Sequence, residues 1–311
     1  MMNCCTRLFW PERDKPTVLG WACIFCAILA LVVLGCGSSN VADSVEVSEE
    51  DSSTTSEAES GGATVAADSG TPPTDAFVER TRVAKTIVAF TNRERRTQEQ
   101  PPLRQDSSLA RIACRHNQDM LAHGYMGHED VNGQLPTDRV MRNHRSLIGS
   151  IGENVYKSAT VPGAHRAGVE AWAQDALDRW RESPGHRKNL LRKEFTHTGV
   201  CVTHTESVAM ATQMFAGVWA YLDTPLPRSV PPGDSLAVSV RPITASGPPV
   251  RYAFVPVGEP VSEAFTGDGE GRPFRDSLYL PDRPGVYGSR FLFPEGDGRY
   301  RGLSGPRVRV E

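Results

Sequence analysis

The chain has 311 residues, 39% apolar and 23% charged, which is ordinary globular material with room for two domains of about 100–200 residues each. Its net charge of -3 conceals an asymmetry: residues 37–77 hold nine acids and no Lys or Arg, while residues 78–311 carry 31 bases against 26 acids. That mild surplus forms no long run or stripe, so composition excludes a nucleic-acid-binding protein.

The first element in chain order is a targeting segment. Arg7, Arg13 and Lys15 precede an apolar run from Thr17 to Gly35, and the run ends in Val33-Leu34-Gly35-Cys36. A basic n-region, an apolar h-region and small residues before a cut describe a secretion signal over residues 1–35. A cysteine directly after the small residue resembles the lipobox of bacterial lipoproteins, which implies acylation of Cys36 and attachment to a membrane through that lipid. The alternative is an uncleaved anchor helix, since the run approaches the roughly 20 residues that span a bilayer. The abrupt composition shift after Cys36 favours cleavage. Gly37 at the following position resembles the default for outer-membrane sorting in a two-membrane envelope. Exposure to the periplasm or exterior follows from export.

Residues 36–75 are rich in Ser, Glu, Ala, Thr and Gly and lack aromatics. They cannot bury enough apolar surface to offset ordering entropy, so the sequence predicts a disordered acidic tether. After cleavage only Cys114 and Cys201 remain as thiols. An oxidising compartment allows one disulfide between them, and two buried thiols that never meet are the equal alternative.

Helical spacing then begins. Ala84, Ile87, Val88 and Thr91 follow one helix face, Leu109, Ile112, Ala113, His116 and Met120 a second, and Val169, Trp172, Ala173, Ala176, Leu177 and Trp180 a third. The period changes to two over 198–204 and 208–216, which reads as a hairpin. Helices plus an antiparallel hairpin give an α+β sandwich ending near Tyr221. Beyond Pro225, strand-like runs at 235–240, 251–257, 277–280, 287–293 and 306–310 suggest a small all-β domain over 225–311, immunoglobulin-like in its spacing.

Four local signatures fall in order in the first of these domains. They are Asn92-Arg93-Glu94-Arg95; His116-Asn117-Gln118-Asp119-Met120; Gly124-Tyr125-Met126-Gly127-His128 with Gly133 and Asp138-Arg139; and Gly152-Glu153-Asn154 with Trp180, Ser183-Pro184-Gly185-His186-Arg187 and Asn189. With Gly199-Val200 and Gln213-x-Phe215, they resemble the bacterial branch of the CAP superfamily: cysteine-rich secretory proteins, antigen 5 and pathogenesis-related 1. The resemblance covers residues 76–222. It implies an α-β-α sandwich with a cavity lined by two His and two acids, of which His128, Glu153 and His186 match three. The fourth position falls on Ser183, with Glu182 adjacent.

Two imidazoles and a carboxylate can bind Zn²⁺ at about 2.0–2.2 Å and leave a position open for water. The same three groups can instead hydrogen-bond one another and hold a polar cavity together. The sequence therefore predicts an envelope-tethered, non-enzymatic binding module for a lipid, glycan or protein ligand. The alternative is a divalent-metal-assisted hydrolase, with His128 and His186 as ligands and Glu153 as ligand or catalytic base. Ser183-Pro184 reads as a helix N-cap with proline at the first helical position. Asn154 and Asn189 read as backbone hydrogen-bonders, and His116, Trp172 and Trp180 as core. Gly233-Asp234-Ser235-Leu236 spells a lipase-like signature, but no His follows it, so it reads as turn residues ahead of a strand.

Overall fold

A computed structural model describes residues 75–159, 168–258 and 271–311, with side chains from residue 80 onward. These lie in one compact unit, Ala67–Glu311. The signal segment, Cys36 and the acidic tether lie outside the described residues.

The described residues form five helices and twelve strands in two regimes. The first comprises α1 (Asp75–Thr97), β1 (Arg104–Gln105), α2 (Ser107–His123), α3 (Pro136–Asn143), β2 (Leu147–Ser158), α4 (Gly168–Glu182), α5 (Pro184–Leu191), β3 (His197–His204) and β4 (Ala209–Leu222). The second is all strand: β5 (Ser229–Val230), β6 (Ser235–Ala237), β7 (Val240–Pro242), β8 (Arg251–Pro256), β9 (Arg272–Pro273), β10 (Ser277–Tyr279), β11 (Gly285–Gly296) and β12 (Arg299–Val310).

The three helical stripes read from the sequence are the buried faces of α1, α2 and α4. Alternation along β3 and β4 buries both sheet faces. Val200, Val202, Ala211 and Phe215 pack under α1 and α4, while Cys201, Met214, Ala216 and Val218 pack against α2 and α3. This is the α-β-α sandwich. Its helix ends are set by local chemistry. Asp106 caps α2 by accepting from the amides of Ser108 and Leu109 at 2.7 and 2.9 Å, and Gly124 ends it in the left-handed region at φ 70°. Gly199 lets α2 lie directly on β3, because a Cβ there would sit 2.2 Å from the Ala110 nitrogen.

The second regime is all strand, as expected for residues 225–311. Its strands join the first sheet, giving one ten-stranded sheet in the order β1-β3-β4-β2-β12-β11-β8-β9, with β7 on β4 and β5 on β12. Only β10 and β6 form a second, two-stranded sheet. The hairpin of β11 and β12 turns through Asp297 and Gly298, both at positive φ (52° and 71°), as a two-residue hairpin turn requires. A shared core of Ile148, Ala220 and Leu222 with Phe291, Phe293 and Leu303 joins the two regimes. The all-β character expected of residues 225–311 holds among the described residues, while the strand partners, far apart in sequence, leave no local trace.

Cys114 and Cys201 form a disulfide that ties α2 to β3, with their Cα atoms 5.1 Å apart.

Candidate functional site

Glu153 stands at the centre of the candidate site, on β2, the strand that lies between β4 and β12. Its side chain is 1% exposed, so its charge needs partners. The Arg139 guanidinium of α3 donates to Oε2 at 2.7 Å, and Nδ1 of His128 donates to Oε1 at 2.9 Å. Arg139 is itself buried and also donates to the carbonyls of His128 and Gln134, at 2.8 and 2.6 Å. One guanidinium thus fixes both the carboxylate and the loop that delivers His128.

The imidazole of His128 is 48% exposed, so this residue joins a buried charge to solvent. Its Nδ1 is taken up by Glu153, and its Nε2 has no part in that bond. His186 on α5 is half-buried, and its ring centroid lies 6.0 Å from that of His128 in an edge-on arrangement. Burial lowers the proton affinity of His186, and the neighbouring His128 lowers it further.

His116 lies 3.8 Å from Oε1 of Glu153 and is fully buried, as its place on the α2 stripe predicts. Its Nε2 donates to the Gly127 carbonyl at 2.9 Å, and its Nδ1 has no partner. Burial lowers its proton affinity, Glu153 opposes this and Arg139 reinforces it, with a net lowering. A neutral His116 with one satisfied nitrogen is the result.

The two asparagines lock α5 to β2. Asn154 donates to the His186 carbonyl at 3.1 Å, and Asn189 donates to the Glu153 carbonyl and to the Asn154 side chain, both at 3.0 Å. Trp180 packs in the core and donates to the Val155 carbonyl at 3.0 Å. The first signature has the same character. Arg95 is fully buried and donates to the carbonyls of Pro101, Leu190, Arg192 and Phe195, which closes the chain around the end of α5.

Ser183 occupies the N-cap position of α5 with Pro184 after it, but its side chain makes no capping bond. Among the described residues no hydrogen bond joins it to the His128–Glu153 pair. Glu182 turns away and faces Arg179 at 3.5 Å, with 69% of its side chain exposed. The fourth acidic position is thus unfilled.

The geometry does not fit the three-donor metal set read from the sequence. Both carboxylate oxygens of Glu153 are engaged, one of them by a guanidinium whose positive charge opposes a second cation there. Among the described residues no group of three His, Cys, Asp or Glu side chains is placed to hold a metal ion. What the arrangement provides is a fixed anion supporting an exposed imidazole, with a second imidazole alongside.

Arg139 is the site residue that sequence reasoning did not assign. Asp138-Arg139 was visible as a motif, and the signal for its role was an arginine beside Val140 and Met141 on the buried face of a short helix.

The sheet with helices on both faces thus carries a His–carboxylate cluster on its strand β2. Residues 88–215 match the family described as cysteine-rich secretory protein family (CAP), so this part of the chain is similar to a CAP domain. Its relatives include YkwD of Bacillus subtilis, 33% identical over 133 residues, which are 43% of this chain and 46% of that protein. YlbC, described as a membrane protein of the same organism, is 30% identical over 124 residues, 40% of this chain and 32% of that one. The chain thus spans less than half the length of both. Among solved structures, an SCP-domain extracellular protein from Bacillus anthracis shares 28% identity at a TM-score of 0.37, over 47% of this chain and 45% of that one.

Proposed function

We propose that this chain is an envelope protein, anchored by lipid on Cys36, that presents a non-enzymatic CAP module to a ligand or surface partner. The partner meets His128 and His186 above the buried Glu153. The observation that carries this reading is the commitment of both Glu153 oxygens, to His128 at 2.9 Å and to Arg139 at 2.7 Å. A carboxylate held in this way orients an imidazole and does not take a proton from water. Among the described residues no helix is long and apolar enough to cross a membrane, so attachment rests on the segment ending at Cys36.

The test uses the full chain purified from envelope without chelator, beside His128→Ala/His186→Ala. Extraction followed by mass spectrometry is expected to find an organic ligand in the wild type and less in the double variant, with divalent metal substoichiometric in both. One metal ion per wild-type chain, lost in the double variant and accompanied by hydrolysis that Glu153→Gln abolishes, would overturn the reading in favour of a metal-assisted hydrolase. Mass spectrometry of the mature N-terminus tests the anchor: the proposal requires an acylated Cys36 as the first residue, and an unmodified Cys36 refutes it.

A further inference from the structure

On another side of α3, a recess of about 260 Å³ is lined by Arg142, Arg145, Arg228, Arg307 and Arg309, with Val286 and Val308 as its apolar wall. Two of these arginines come from α3 and the turn after it, one precedes β5, and two lie on β12. The recess therefore exists only because the strand-rich half shares a sheet with the CAP half.

The charge here is poorly compensated. Arg307 pairs with Asp138, and Arg309 approaches Glu311 at 3.8 Å. Among the described residues Arg142, Arg145 and Arg228 pair with no carboxylate. Arg145 forms the half-buried floor, where its guanidinium donates to the carbonyls of Leu226 and Arg307 at 2.9 and 2.5 Å and to that of Pro227. These bonds fix its position but leave its charge unneutralised. Its pKa falls to about 10, through burial first and the charge of Arg228 second. Arg142 and Arg228 are exposed at the rim and held by single long bonds, at 3.4 Å to the Gln134 side chain and 3.3 Å to the Arg142 carbonyl.

We infer that this recess binds a phosphoryl group, from either a soluble phosphoester or the headgroup of an anionic phospholipid. Two features select phosphate over carboxylate. Three positive charges are left over after the two pairings, and one carboxylate neutralises a single one, whereas a phosphate monoester carries about 1.5–2 negative charges. The guanidiniums also converge from three separate chain segments, and a tetrahedral anion offers oxygens in several directions while a carboxylate offers them in one plane. Val286 and Val308 leave room for the apolar part of an ester.

The test titrates the full chain with inorganic pyrophosphate at low ionic strength by calorimetry. Wild type is compared with Arg142→Gln/Arg228→Gln and with a charge-matched control, Arg111→Gln/Arg299→Gln, from exposed positions elsewhere. Affinity is expected to fall by about tenfold or more in the first pair, the scale of one lost charge-assisted hydrogen bond, and to hold in the control. If the first pair lowers the unfolding midpoint, Arg309→Gln carries the same comparison. Flotation with vesicles of phosphatidylglycerol in phosphatidylcholine, against phosphatidylcholine alone, separates the two sources. Binding that pyrophosphate displaces assigns a lipid headgroup, and pyrophosphate binding without flotation assigns a soluble ester. No pyrophosphate binding by wild type, or an equal loss in both double variants, overturns the inference.

Discussion

In residues 75–222 the sheet carries helices on both faces, and buried polar side chains join separate segments: Arg95 to four carbonyls, Arg139 to Glu153, and Gln213 to Thr91 and Thr198. In residues 229–311 the described residues include no helix, and the packing is dominated by Tyr252, Phe291, Phe293, Leu303 and Val308 between strands. The first half is specified by directional bonds that tolerate few alternatives. The second is specified by a long hairpin with a two-residue turn and by apolar burial, which accepts substitution more readily. The two meet through the pairing of Ser304 with Gly149, through β7 paired along the end of β4, and through a common core.

The most severe way to break this comparison is to delete Pro225–Glu311. If the halves are truly continuous, the deletion bares Ile148, Ala220 and Leu222, together with Trp219, whose ring lies 5.5 Å from that of Phe293. It also leaves β2 as an open edge, inviting strand pairing between molecules. At about 1.5–3 kcal/mol per uncovered large side chain, the loss is about 5 kcal/mol. Chemical denaturation and size-exclusion chromatography should show a destabilised, associating protein. A truncated chain that is monomeric at the wild-type midpoint would mean that the CAP half stands alone.

Arg95→Ala sharpens the contrast from inside the first half. The substitution leaves four carbonyls, two of them buried, without their donor and removes a large buried side chain, at a cost of about 3–5 kcal/mol. A truncation of comparable volume on the exposed face of the second half, such as Tyr300→Ala, is expected to stay within about 1 kcal/mol, since Tyr300 is 43% exposed. Equal losses at the two positions, measured by urea unfolding, would erase the distinction between the halves.

Legibility in the sequence followed the same division. The stripes of α2 and α4 were readable because an apolar face with a 3.6-residue period is a local property, and α2 also carries its cap residues Asp106 and Gly124. The strand that bears the site was missed. Over Leu147–Ser158 the apolar positions are interrupted by Gly149, Gly152, Glu153 and Asn154, so no two-residue alternation survives. Those interruptions are the function-bearing features: Gly152 leaves space that the Phe195 ring fills, and Glu153 and Asn154 reach Arg139, His128 and α5. A residue pattern carried over from family resemblance located His128, Glu153 and His186, while Arg139 required geometry, because its partner lies on another element. Beyond Pro225 the strand positions were roughly legible, but not their partners: β12 pairs with β2 across more than half of the described chain.

The smallest expected effect is a pH dependence carried by a capping carboxylate and by histidines taken out of solvent. Burial alone would raise the pKa of Asp106, but the hydrogen bond and charge of His144, with the amides of Leu109 and Ser108, outweigh it and lower the group to about 2. A depressed carboxylate stabilises the fold above its unfolded pKa near 3.9, and that contribution is lost as pH falls through about 2; a shift of this size is worth about 2 kcal/mol. His116, His186 and His197 are also depressed, each chiefly by burial. For a histidine this has the same sign, since the unfolded chain takes up protons first as pH drops below about 6.5, and stability declines from there. Unfolding free energy should therefore fall in two limbs, one beginning near pH 6.5 and one below about pH 4. Asp106→Asn keeps an N-cap acceptor for α2 while removing the charge, so it should flatten the acid limb and, by withdrawing the charge that supports a proton on His197, slightly steepen the upper one. His186→Ala should reduce the upper limb and leave the acid limb unchanged. If Asp106→Asn leaves the slope below pH 4 as it was, the carboxylates that govern acid stability lie elsewhere.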